Sequence, residues 1–404
     1  MEINKELKEI VDLTSKLIQY PTVNPPATNM QDAATFMYEM LSRHGIDAKL
    51  KEYAKGWPVV YAEAGNKRSK KSLLLTGHFD VVPPGDEKSW KYGPYEGKLE
   101  GNKIYGRGAS DMKAGIAIML YLMKELAEKV DYKLIFAAVS DEETGGKNCS
   151  KHLAEEIMPD FVLIGEPSGP NSLIIGEKGL MQVKLICKGR PAHGSLPSFG
   201  INAIEKLIED LLSLSKINDL KIEIPYDLKD VIKNTEEELL KEHGEKIKNF
   251  KDVERISFNI GIIKGGIKVN VVADYCEAEV DMRVPPGIKI EDAIDYAKKL
   301  VKNSEFNILQ SSQPNYTSPN NVYIKKFVDS VKRIAGQANT LLIPGATDGR
   351  YFRSKNIPVL IYGPGKLNTP HTYNEYVEIE DIEKCYNVLK YYLMNVFNKL
   401  DEKN

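Results

Sequence analysis

Apolar residues gather in four short runs along the chain: "KSLLLTGHFD" (71–80), "KLIFAAVSDEE" (133–143), "FVLIGEPSG" (161–169) and "IPVLIYGPG" (357–365). Runs of this length that end in Gly and acidic residues read as strands buried on both faces. Helix-like periodicity precedes them at 28–44, 112–129, 147–157 and 321–336. That rhythm predicts an α/β fold with a mostly parallel sheet flanked by helices. In such sheets ligands collect at the carboxyl ends of the strands, so the polar residues that close each run are the first candidates for chemistry.

The period changes in the middle of the chain. "GLMQVKLICKG" (179–189), "ISFNIGIIKGG" (256–266) and "KVNVVADYCEAEVDMRV" (268–284) alternate apolar and polar residues, as half-buried antiparallel strands do. Helical patterns at 201–215 and 290–302 accompany them. This predicts a smaller α+β insert at 179–312 that interrupts a larger domain made of 1–178 and 313–404. The charged helical stretch 234–249 reads as a solvated surface of the insert.

A chain of 404 residues exceeds what one hydrophobic core usually organises, which agrees with two domains. Its 55 Lys+Arg against 57 Asp+Glu give a net charge of -2, without the basic excess that nucleic-acid binding needs. Cys149, Cys187, Cys276 and Cys385 form no CxxC pair, which argues against a disulfide scaffold or zinc ribbon and for a reducing cytoplasm. The first twenty residues read as a charged amphipathic helix rather than an export signal, and no apolar run is long enough to span a membrane. The expectation is a cytoplasmic protein with no membrane partner. "GRGASDMKAG" lacks the third Gly of a dinucleotide fingerprint, and no GxSxG elbow occurs, which disfavours nicotinamide and serine-hydrolase chemistry.

The polar residues at the strand ends are His78 and Asp80, Asp111, Glu142 and Glu143, Glu166, and His371. Imidazole nitrogen with carboxylate oxygen is a ligand set that zinc accepts, and a bridging carboxylate holds two metals roughly 3.5–4 Å apart. So many carboxylates around one point repel one another unless cations neutralise them. His44 reads as a helix-end residue and His152 and His243 as helix-surface residues, and none is assigned chemistry.

The motifs "GHFDVVPPG", "GRGASDMKAG", "SDEETGG", "GEPSG", "GRPAHGS", "KVNVVAD", "DMRVPPG", "GATDGRYF" and "PHTYNEYV" span nearly the whole chain. In these the sequence resembles the M20 dinuclear zinc peptidases and deacylases, especially the acetylornithine deacetylase and succinyl-diaminopimelate desuccinylase branch. The resemblance implies one zinc on His78 and Glu166, a second on Glu143 and His371, and Asp111 bridging them, with cobalt or manganese as substitutes. It implies Glu142 as the general base and Asp80 as the carboxylate that orients His78. It also implies His193 as an oxyanion donor, supplied by the partner subunit of a homodimer or by closure of the insert, which would be a lid and dimerisation domain. Asn270, Arg283, Thr347 and Arg350 would surround the substrate, although Arg283 could equally form a structural bridge to Asp281 or Glu279. The Asp111–Met112 peptide bond would be cis. The implied reaction is hydrolysis of the amide of an N-acyl amino acid, with a metallo-exopeptidase acting on short peptides as the alternative and a non-catalytic scaffold of this fold as the lesser one; acetylornithine, succinyl-diaminopimelate and dipeptide substrates stay undivided.

Overall fold

The computed structural model describes residues 4–244 and 250–400. Its main sheet has nine strands, and its centre is parallel: Lys133–Val139, Ser72–His78, Phe161–Ile164 and Val359–Ile361 lie side by side in that order. Antiparallel partners extend it. Asp47–Ala54 and Trp57–Gly65 continue one side, and Ser172–Glu177 with Asn315–Tyr316 the other, while Asn339–Ile343 pairs parallel to Ser172–Glu177. The four runs marked as buried strands are the four parallel ones, and every residue of Ser72–His78 is buried.

Helix Ala114–Leu126 packs on strands Ser72–His78 and Lys133–Val139 and beneath helices Lys5–Ile18 and Ile379–Tyr391. Covered on both sides, it is apolar on every face up to Met123, with Ile116, Met119, Leu120 and Met123 fully buried. Lys5–Ile18 is amphipathic instead, burying Leu7, Ile10, Val11 and Leu17 and capped by Asn4, whose side chain accepts from the Leu7 N–H.

A separate antiparallel sheet runs in the order Ser257–Gly265, Tyr275–Val284, Gly179–Lys188, Glu305–Ser311. Its alternation buries Met181, Val183 and Leu185 with Ala278, Val280 and Met282 against helices Ala203–Leu214 and Ile290–Leu300, forming a second hydrophobic core. Among the described residues, the cysteines are all buried and free, and no helix is long and apolar enough to cross a membrane.

Two local expectations differ from the structure. Of 268–284 only Tyr275–Val284 is strand; the earlier part is a loop, exposed up to Asn270 and buried at Val272 and Ala273, in which Val271 makes an isolated bridge to His193. The charged stretch 234–249 is expected as a solvated surface of the insert, but its described part, up to residue 244, lies against the main sheet instead. Helix Lys229–His243 packs on strand Asn339–Ile343 of the main sheet, because Leu228, Val231, Ile232 and Thr235 form a buried stripe at helical spacing. The Thr235 hydroxyl accepts the Leu342 N–H at 2.9 Å, covering a strand that would otherwise be an open sheet edge. Residues 245–249 and the side chain of His243 lie outside the described residues.

Candidate metal centre

His78 is the last residue of its strand, flanked by the parallel strands ending at Val139 and Ile164. The loops that follow those neighbours carry Glu142, Glu143 and Glu166 to the same end of the sheet. Asp111 arrives on the turn before helix Ala114–Leu126. Its neighbour Met112 packs where a Cβ on residue 77 would lie 1.9 Å from the Met112 Cε, so a side chain at Gly77 would displace the end of Met112. The Asp111–Met112 peptide bond is cis, as the resemblance implies. His371 sits on the loop before strand Tyr376–Glu378 in a left-handed conformation with φ 62°, an uncommon backbone for a non-glycine residue that the surrounding contacts must hold.

The five residues marked as ligands converge. His78 Nε2 lies 3.0 Å from Asp111 Oδ1 and 3.2 Å from Glu166 Oε1. His371 Nε2 lies 3.3 Å from Asp111 Oδ2 and 3.2 Å from Glu143 Oε2. Each oxygen of Asp111 therefore faces a different imidazole, with one further carboxylate beside each. Oxygen or nitrogen atoms of His78, Glu142 and Glu166 also lie within 4.8 Å of one another. His78 Nδ1–H donates to the Asp80 carbonyl oxygen at 2.9 Å, which leaves Nε2 to present a lone pair toward the carboxylates.

The electrostatics call for cations. Burial pushes Glu166 up to about 8, against the pull of His78 and with the push of Asp111, and it raises Glu142 and Glu143 as well. Burial alone would keep His78 neutral, yet Glu166, Asp111 and Asp80 outweigh it and raise its pKa well above the usual value. Hydrogen bonds to Asp111 and Glu143 lift His371 to about 10. A site in which imidazoles hold protons only because carboxylates crowd them suits divalent metals, which replace those protons and neutralise the acids. The donor set fits: His78 and Glu166 could hold one ion, His371 and Glu143 another, and Asp111 both.

Asp80 does more than face His78. Its Oδ1 is 3.6 Å from Nδ1, while the carboxylate accepts the N–H groups of Glu142 and Glu143, each at 3.2 Å, and the Asn24 side-chain amide at 2.8 Å. It thus ties the strand end to the loop that bears two of the acids. The sequence reading missed Asn24, and it missed Glu375 too. The buried carboxylate of Glu375 accepts the N–H groups of Gly108, Ser110 and Asp111 at 3.0–3.1 Å and pairs with Arg107 at 2.7 Å, fixing the Asp111 turn. Neither Asn24 nor Glu375 carries a local signal, because the groups it holds lie far away in sequence.

Of the remaining candidates, Thr347 lines the cleft at this centre, whereas His193, Asn270, Arg283 and Arg350 are not among its lining residues. His193 is exposed, with Nδ1 2.7 Å from the Ser195 hydroxyl, and its loop meets Asn270, whose carbonyl accepts the Gly194 N–H. Arg283 forks onto Asp281, with Nε 2.9 Å from Oδ2, which leaves Glu279 to Lys184. The Thr347 hydroxyl and N–H both donate to Glu177 at 2.7 Å. Arg350 donates to the Gly145 carbonyl at 2.8 Å, bracing the loop just after Glu143. A cleft of about 350 Å³ opens onto Asp111, Glu142, Glu143, Glu166 and His371 and is bounded by Thr347.

The sequence matches the description "Peptidase family M20/M25/M40" over residues 74–395. It is 29% identical to an uncharacterised metallohydrolase of Methanocaldococcus jannaschii, over 95% of this chain and 99% of that one. It is 27% identical to a succinyl-diaminopimelate desuccinylase of Wolbachia pipientis wMel, over 96% of this chain and 93% of that one. Among solved structures, an M20 family metallo-carboxypeptidase from Sulfolobus solfataricus superposes with a TM-score of 0.81 at 23% identity, covering 98% of this chain and 100% of that one. A di-peptidase from Saccharomyces cerevisiae gives 0.75 at 19% identity, covering 98% of each.

Proposed function

The chain belongs to peptidase family M20/M25/M40 and is a metal-dependent hydrolase of amide bonds; from that premise we propose that it cleaves the amide of an N-acyl amino acid, using two zinc ions held by His78, Glu166, Asp111, Glu143 and His371. The observation that carries this reading is the position of Asp111 between two imidazoles, each with its own second carboxylate. When bound, the metals supply an acidified water and polarise the amide carbonyl.

Glu142, adjacent to Glu143 and lining the cleft, takes the proton of the attacking water and returns it to the departing amine nitrogen. Its raised pKa suits both halves of that exchange. Asp80 and Arg350 hold its loop through the N–H groups of Glu142 and Glu143 and the Gly145 carbonyl. The desuccinylase relative favours a deacylase. A metallo-exopeptidase acting on dipeptides is the second reading, favoured by the carboxypeptidase and di-peptidase folds.

Residues 179–312 serve in this proposal as a lid and dimerisation domain. Strand Ser257–Gly265 is an edge whose Ile260, Ile262 and Ile263 are exposed, which suits pairing with the same strand of a second copy. His193 and Asn270 would then reach the neighbouring cleft, where His193 meets the developing oxyanion. Free buried thiols agree with a reducing cytoplasm.

The test is amine release from a panel of N-acetyl and N-succinyl amino acids and dipeptides by zinc-loaded protein, with Glu142→Gln beside it. Release that the variant loses while keeping its metal supports the proposal, and a metal-loaded protein silent on every amide contradicts it.

A further inference from the structure

The cleft that the acids line is otherwise largely apolar. Ile174, Ile343, Pro344, Leu367 and Pro370 line it, and so does Leu239, which comes from helix Lys229–His243. That helix lies within the segment 179–312, yet Leu228, Val231, Ile232 and Thr235 fasten it to the main sheet, so Leu239 is held in place beside the candidate metal centre. No Lys or Arg is among the described residues that line the cleft, and the Thr347 hydroxyl is already committed to Glu177. A carboxylate or ammonium pressed against this apolar lining would lose water and gain no partner.

We infer that the cleft is selective for an apolar group flanking the scissile amide, an aliphatic or aromatic side chain or acyl chain, with Leu239 as a specificity-determining residue. The inference rests on the amide-hydrolase reading and narrows it. A succinyl carboxylate or an ornithine ammonium does not suit this apolar lining.

Binding separates the inference from the catalytic reading. Metal-loaded Glu142→Gln protein is titrated calorimetrically with N-acetyl-leucine, N-acetyl-lysine and N-acetyl-glutamate to probe one side of the amide, and with isovaleryl-glycine and succinyl-glycine to probe the other. On at least one side the apolar member should bind about tenfold tighter or better, the scale set by a few methylenes in an apolar pocket. Adding Leu239→Ala should remove about tenfold of that affinity and leave the charged members unchanged, while Leu239→Lys should improve binding of the acidic members. The anchors Val231, Ile232 and Thr235 stay in place in both variants, and unfolding curves check that the helix remains docked.

Equal binding of charged and apolar members on both sides would overturn the inference, as would a Leu239→Ala loss shared equally by all ligands. Apolar preference in binding with no hydrolysis by the parent protein keeps this inference and removes the hydrolase reading. Hydrolysis without apolar preference does the reverse.

Discussion

Removing the carboxylate of Glu375 should damage both the fold and the metal centre, although it is not itself a proposed ligand. It satisfies three backbone N–H groups on the Asp111 turn and pairs with Arg107, and the two side chains are only 1% and 4% exposed. Glu375→Ala strands the guanidinium, a loss of about 3–5 kcal/mol for breaking a buried pair. The unpaired N–H groups add about 1–3 kcal/mol each where water cannot reach them.

These terms overlap, so a net loss of about 4–6 kcal/mol is expected, a large share of the roughly 5–15 kcal/mol that stabilises a typical domain. Glu375→Gln keeps the shape and one acceptor oxygen but turns an amide N–H₂ toward a donor, and should cost about 2 kcal/mol. That variant folds, so its metal affinity is measurable. Loss of order in the Asp111 turn should weaken zinc binding by about 10–100-fold, the usual scale for a residue that orients a ligand. The assay is urea unfolding of the metal-free protein with calorimetric zinc titration at fixed pH. Glu375→Gln that unfolds within about 0.5 kcal/mol of the parent and binds zinc with parental affinity would refute the reasoning.

Three further outcomes follow from the same contacts. Thr235→Val removes the acceptor for the buried Leu342 N–H and should lower stability by about 1–3 kcal/mol, read from the urea midpoint. Burial lowers Lys178 to about 7, so between that pH and about 10.4 the unfolded chain carries a proton that the folded one has released. Stability should therefore rise with pH across this window through that group, and Lys178→Met should flatten the rise in thermal scans at several pH values. Removing metal with a chelator should lower the melting temperature reversibly, by the equivalent of about 2.7 kcal/mol if zinc had stood at a hundredfold over its dissociation constant; no change on chelation would contradict a cation held by this cluster.

The elements most legible in the sequence were those with a strong local period. The parallel strands at Ser72–His78, Lys133–Val139 and Phe161–Ile164 are continuous apolar runs, and the acids and histidine that follow them mark where the chain turns into a site. The second sheet was legible for the same reason, since Gly179–Lys188 and Tyr275–Val284 alternate cleanly. Glu375 and Asn24 were not legible, because they act on backbone N–H groups and a carboxylate that lie far away in sequence and carry no residue signature. Helix Lys229–His243 misled because its buried stripe is short and set among charges, so its average polarity suggested solvent on every side, while its partner strand lies about a hundred residues later. The positions of His193 and Asn270 depend on contacts with residues outside the main sheet, which periodicity does not encode.

The measurement that tests the central claim most directly is the metal content of purified, zinc-equilibrated protein beside Asp111→Ala, determined by elemental analysis after removal of free metal. Two zinc ions per chain in the parent, with loss of at least one in the variant, is the result expected of an aspartate shared by two cation sites. A parent that retains no zinc, or a variant that retains the full parental complement, would contradict it.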